Sequence, residues 1–332
     1  MKLNNLQILR GISALLVCCF HFREYLNFPD LKLGDILFER GSIGVPVFFV
    51  ISGFIMYFTS QKMTEDPCKD IISFFKKRII RIVPLYYLLT FAWIVLGGSV
   101  MYYFKEEGLS RLIHSLLFLP EKGVFPVVYL GWSLNYEMFF YLVFGLFIFF
   151  KNKRYFLVIT FFMATYCLGL VFKPENAYLQ MVTSNLNLYF VVGIIFGLAL
   201  NKIPLIPKNI ALIISSVGIL AFILMLFNVI HVNNLFLILI IVSLFVFSFL
   251  LFDYNFHFNG NRFLVFLGDI SYSLYLSHPF VGILFKKLKF ETSGNIFYFV
   301  LLIVVVILVA AILYYFVERK VTDFLRTKLN PI

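Results

Sequence analysis

Stretches of about twenty mostly apolar residues recur from one end of this chain to the other, and no other feature constrains its fold so tightly. A bilayer core about 30 Å thick is crossed by about 20 helical residues. Within it backbone amides find no water, so a segment must satisfy its own hydrogen bonds, which a helix does. The pattern predicts spans at 6–26, 42–60, 82–103, 129–150, 154–172, 185–201, 210–230, 234–252, 263–285 and 295–317. Hydrophobic residues make up 61% and charged residues 14% of the chain, more apolar surface than a soluble domain of this length buries. The expected fold is all-α and polytopic: a single bundle of about ten transmembrane helices over residues 1–332, with no appended soluble domain. The first span lacks the small-residue cleavage pattern of a signal peptide and is expected to stay.

With the N-terminus in the cytoplasm, most of the 28 Lys and Arg residues fall on that side, so the positive-inside rule favours both termini inside. Lys286, Lys287 and Lys289 run against the trend and leave spans nine and ten the least fixed. A formal net charge of +11 suits contact with anionic membrane lipids. No nucleic-acid motif accompanies it, and nucleic acid is not an expected partner. Cys18, Cys19, Cys68 and Cys167 have neither disulfide-framework nor zinc spacing, so no metal site is expected.

Against this apolar background, five polar clusters stand out. Arg10 and His21 lie in the first span, where an ionisable group costs free energy and marks a functional site unless it reaches the interface. Their separation of eleven residues puts them within roughly 20° of one helix face and about 16 Å apart. One face then carries an anion anchor at one depth and a proton acceptor at another. In the run 69–87, Lys77, Arg78 and Arg81 cluster at i, i+3 and i+4 spacing. Guanidinium forks there suit phosphate oxygens, although orientation alone also places cations beside a span.

Trp132, Ser133, Glu137 and Tyr141 open the fourth span, the last three at four-residue intervals. A carboxylate in that setting must pair, hydrogen-bond or take up a proton, which leaves Glu137 three readings: orienting His21, pairing with an arginine, or acting as an acid. Ser271, Tyr275 and His278 share a face of the ninth span, with Pro279 loosening the helix beyond them. They line a polar cavity in one reading and serve as interhelix hydrogen-bonding groups in the other. Gly44, Pro46 and Gly53 open the second span, where close packing accounts for them.

Taken in order, these segments resemble the acyltransferase-3 family of integral membrane acyltransferases. The resemblance rests on Leu9-Arg10-Gly11 with His21, Gly44-Val45 through Phe48-Phe49 to Ser52-Gly53-Phe54, Arg78-Ile79-Ile80-Arg81-Ile82-Val83-Pro84, Trp132-Ser133-Leu134 with Glu137, Ile270 to Pro279, and Glu318-Arg319. Many members carry an acid where this chain has Pro46, so no role of that acid carries over. The resemblance implies acyl, commonly acetyl, transfer from cytoplasmic acyl-CoA to a hydroxyl of a cell-surface polysaccharide or lipid-linked glycan such as O-antigen, in a bacterial inner membrane. Arg10, Arg78 and Arg81 would hold the CoA phosphates. His21 would act as general base or acyl carrier with Glu137 as its companion. Trp132, Ser133, Ser271, Tyr275 and His278 would line the cavity. A transporter of a lipid-linked sugar or small acyl compound is the alternative, although transporters often show internal repeats and these segments occur once each.

Overall fold

A computed structural model describes residues 3–61, 66–97, 100–202, 206–257, 259–288 and 294–329. Lys2 and Lys289, which enter the charge count, lie outside the described residues. The helices are α1 (Asn4–Phe22), α2 (Leu33–Phe38), α3 (Gly44–Ser60), α4 (Pro67–Leu96), α5 (Glu106–Leu116), α6 (Gly131–Phe147), α7 (Arg154–Phe172) and α8 (Ala177–Val182). They continue with α9 (Asn187–Lys202), α10 (Lys208–Leu226), α11 (Leu235–Tyr254), α12 (Arg262–Asp269), α13 (Ser271–Lys287), α14 (Ile296–Leu313) and α15 (Arg319–Leu329). Among the described residues, 8 helical stretches are long and apolar enough to cross a membrane. The chain is a multi-pass, all-α membrane protein.

Three places show how local chemistry sets the helix boundaries. The basic run and the third span form one 30-residue helix, α4, where the sequence reading separates them. Asp66 caps it by accepting from the Cys68 and Lys69 amides at 3.1 and 3.2 Å, with Pro67 supplying the first helical turn. Those amides, Lys69 first, hold the Asp66 carboxyl below the usual carboxylate range. Residues Gly131–Phe172 make one 42-residue apolar stretch, but Lys151 adopts φ 49° and divides it between α6 and α7. The ninth span, expected to be one helix, is instead α12 and α13 meeting at Ile270. Gly268 and Asp269, both poor helix formers, sit at that break.

The chain divides into two compact units, one of Met1–Ile55 with Ile195–Ala311 and one of Met56–Ile194 with Ile312–Ile332. In the first, α1 packs against α11, α12 and α13, and α10 lies along α11. Contact between α1 and α12 is at backbone distance. A Cβ added at Gly11 would lie 2.8 Å from the Gly268 nitrogen, and one added at Gly268 would strike the Gln7 carbonyl. A Cβ at Gly44 would likewise strike the Ser13 carbonyl, so small residues let helix backbones meet here as the sequence suggests. In the second unit α4 packs against α6 and α15, and α6 against α7. Phe140, Phe144, Phe162 and Phe190 fill its core, with Phe140 stacked on Phe190 at 4.3 Å.

Hydrogen bonds in the first unit also order the two ends of α1. At its start, the Asp253 carboxylate at the end of α11 accepts from the Asn5 and Leu6 amides and from Asn5 Nδ2 at 2.8–3.0 Å, and Asn4 Nδ2 donates to the Asn259 carbonyl at 3.0 Å. Just past its far end, the Tyr25 carbonyl accepts from the Asn295 amide at 2.9 Å. The chain from residue 259 to 295 therefore runs from one end of α1 to the other. Within that run lie α12 and α13, the latter 17 residues long.

Candidate active site

Within the first unit the structure brings two histidines together. His21 lies in the last turn of α1, half-buried, with the Phe20 ring edge-on at 4.9 Å. Its ring faces that of His278, on α13, at a centroid distance of 5.2 Å and an interplanar angle of 32°. His278 is fully buried at 0% exposure, flanked by Phe22 at 5.7 Å and Tyr275 at 6.3 Å. Neither of its ring nitrogens makes a hydrogen bond of good geometry among the described residues, although the Leu274 and Tyr275 carbonyls lie beside the ring, and the Ser271 hydroxyl is likewise without a partner there. Ser271, Tyr275 and His278 are all buried, and their i, i+4, i+7 spacing presents them on one face of α13. Pro279 follows His278 directly and removes one backbone donor from the helix at that level.

Arg10 shares α1 with His21, so the helical ruler between them is continuous. It is half-buried and donates to Gln7 Oε1 at 3.3 Å, while Gln7 Nε2 donates to the exposed Asp269 at 2.8 Å. This short polar relay leads from the guanidinium to a carboxylate at the end of α12.

A second cluster belongs to the other unit. Tyr141 Oη donates to Glu137 Oε1 at 2.5 Å, one helical turn apart on α6. Arg78 of α4 lies over the Tyr141 ring at 5.5 Å and the Phe74 ring at 5.7 Å, and its Nη2 reaches Thr59 Oγ1 at 3.4 Å. Its buried Nε has no partner among the described residues. Glu137, Arg81 and Arg326 all lie close enough to act on Arg78 electrostatically. Glu137 thus accepts from Tyr141 on its own helix and lies near enough to Arg78 to act on it electrostatically. Trp132 is half-buried with its ring edge-on to Tyr136 at 6.1 Å, and the Ser133 hydroxyl donates to the Leu130 carbonyl at 3.1 Å. Among the described residues no three His, Cys, Asp or Glu side chains come together as metal ligands.

Sequence reasoning passes over three of the polar residues that the fold uses. Asp253 lies in none of the five polar clusters, yet its carboxylate holds the first turn of α1. Arg154 counts there only as a cytoplasmic positive charge; in the structure it is 8% exposed and donates to the Ser60 and Lys151 carbonyls and to Tyr155 Oη. Arg326 comes to α4 on the amphipathic α15, and the alternation of basic and apolar residues after Glu318 is the signal that marks that helix.

The sequence matches the acyltransferase domain family over residues 3–315. It is 34% identical over 191 residues to the exopolysaccharide production protein ExoZ of Rhizobium meliloti, covering 54% of this chain and 58% of that one. It is 30% identical over 159 residues to acyltransferase MdmB of Streptomyces mycarofaciens, covering 44% of this chain and 39% of that one. The chain thus spans about half the length of these relatives. No solved structure matches it.

Proposed function

Because the chain belongs to the acyltransferase-3 family along nearly its whole length, we propose that it is a membrane O-acyltransferase. It moves an acetyl group from cytoplasmic acetyl-CoA to a hydroxyl of a cell-surface polysaccharide or lipid-linked glycan, such as O-antigen, in a bacterial inner membrane with both termini inside. The observation that carries this reading is His21, an imidazole held among aromatic rings on the same helix as Arg10. The name of the relative ExoZ supports a polysaccharide acceptor.

In the proposed reaction His21 takes the proton of the acceptor hydroxyl as its oxygen attacks the thioester carbonyl carbon. Collapse of the tetrahedral intermediate breaks the C–S bond, and the proton passes to the departing sulfur. Arg10 is assigned to donor phosphate oxygens, and the roughly 16 Å along α1 is comparable to an extended pantetheine arm. In the second unit, Arg78 and Arg81 are assigned the same chemistry, with Glu137 and Tyr141 orienting the Arg78 guanidinium. The apolar surroundings of His21 keep bulk water from competing with the acceptor.

Purified protein, given acetyl-CoA and lipid-linked glycan from a strain lacking this chain, should release CoA thiol and add one acetyl mass to the glycan. His21→Ala should slow that transfer by about 100-fold or more. Near-normal transfer by this variant overturns the role of His21. Glycan flux into proteoliposomes with no dependence on acetyl-CoA replaces the reading with transport.

A further inference from the structure

His278 is the most deeply buried ionisable side chain of the first unit's polar cluster. It is 0% exposed, and neither ring nitrogen makes a hydrogen bond of good geometry among the described residues, although the Leu274 and Tyr275 carbonyls of its own helix lie beside the ring. Native proteins rarely leave such a group unpaired, and where they do a catalytic role is one of the few explanations. Two features direct its nitrogens toward the transfer rather than toward packing. Its ring lies 5.2 Å from that of His21 at only 32° between planes, a separation at which both imidazoles can touch one small group. The rings of Phe20, Phe22 and Tyr275 surround the pair, so a hydrogen bond formed there acts in a medium of low dielectric and is strengthened accordingly.

We infer that His278 is a second catalytic residue, whose ring N–H donates to the thioester carbonyl oxygen while His21 removes the acceptor proton. This role rests on the acyl-transfer reading. Hydrogen bonds at imidazole nitrogens lie in the ring plane, so two oxygens on one tetrahedral carbon would meet these neighbouring rings at their edges, each about 2.8 Å from its own nitrogen. As the hydroxyl oxygen bonds to the carbonyl carbon, the π pair moves onto the carbonyl oxygen and the His278 hydrogen bond strengthens with the developing charge. When the C=O bond re-forms, the C–S pair leaves with sulfur, and the proton held by His21 goes to the thiolate. His278 keeps its own proton throughout. Ser271 lies two turns before it on the same helix face, also buried and with its hydroxyl unpartnered; it adds a second polar group to the wall on which the acyl carbonyl is held.

The test compares His278→Phe, which keeps a ring of similar size but no donor, with His278→Gln, which restores an N–H. In the purified full chain with acetyl-CoA and lipid-linked glycan, the Phe variant should lose about 10²- to 10³-fold in kcat. Its KM for acetyl-CoA and its Tm in detergent should be unchanged, and Gln should recover part of the rate. A Phe variant within about threefold of the parent overturns the inference, since a lost oxyanion donor costs far more than that. So does a Gln variant no better than Phe, or a loss of kcat that tracks a fall in Tm or in acetyl-CoA binding, since those describe a packing residue. If His21→Ala is inactive while His278→Phe is active, only this inference fails. If both remain active, the acyl-transfer reading of the histidines fails with it.

Discussion

At the scale of single residues, burial and pairing separate side chains that look alike in the sequence. Arg10, Arg78 and Arg154 are all cations beside or within apolar runs, yet Arg154 spends both terminal nitrogens on backbone carbonyls and a tyrosine, whereas Arg78 Nη2 reaches the Thr59 hydroxyl at 3.4 Å; the buried Nε of Arg78 and that of Arg154 have no partner among the described residues. Arg154 thereby clamps the Ser60 and Lys151 carbonyls together. Asp253 has the clearest structural consequence. Its carboxylate accepts from two amides and one side chain at the start of α1, and it is 4% exposed. Removing it strands those donors in a buried setting, so Asp253→Ala should cost about 2–4 kcal/mol, read as a fall in thermal stability in detergent. Asp253→Asn, which keeps one acceptor oxygen, should cost less. Local spacing singles out His21, Glu137 and Tyr141 as polar positions within apolar runs. The partner of Asp253 is 248 residues away, and no local pattern carries that information.

At the scale of elements, glycine placement decides how closely α1 approaches its neighbours. Gly11 and Gly268 face each other where α1 crosses α12, and the relay from Arg10 through Gln7 to Asp269 lies at that crossing. Gly268→Val has no room for its side chain and should push α12 away from α1, breaking the Gln7–Asp269 hydrogen bond. The outcome expected is a raised KM for acetyl-CoA together with a lower Tm, by the 1–3 kcal/mol typical of overpacking. A Tm equal to the parent's would mean that the two helices can separate freely. The same scale shows what hydropathy misses. Apolar windows locate the crossings, but the window over 263–285 does not register that Ile270 divides it, because turns depend on backbone geometry and neighbours more than on hydrophobicity. Conversely, the division of Gly131–Phe172 near residue 151 is readable, since the cluster Lys151, Lys153 and Arg154 interrupts an otherwise continuous apolar run.

At the scale of the whole molecule, topology follows from parity. The end of α11 meets the start of α1, and Asn295 meets the residues just past its far end. An even number of crossings must therefore separate Asn5 from Asp253, and an even number must also separate Tyr25 from Asn295. The ten predicted spans satisfy both conditions, and α14 then returns the chain toward the side on which it began. With the N-terminus in the cytoplasm, the exposed Cys68 at the start of α4 belongs to that side. In inside-out vesicles an impermeant maleimide should label it, whereas in intact cells it should remain unlabelled; the reverse pattern would invert the whole topology. What the sequence determined by itself is the class and rhythm of the fold, because the bilayer imposes helical crossings on any apolar run of sufficient length, and the positions of the costly polar residues, because each stands out against that background. Only the tertiary structure decided which of those residues meet. His21 reaches His278 across 257 positions of chain because α13 packs on α1, and Arg78 lies over the ring of Tyr141, the α6 partner of Glu137, because α6 packs on α4. Helix packing is a sum of many weak, short-range contacts, and hydropathy records how deep a residue lies without recording which neighbour it faces.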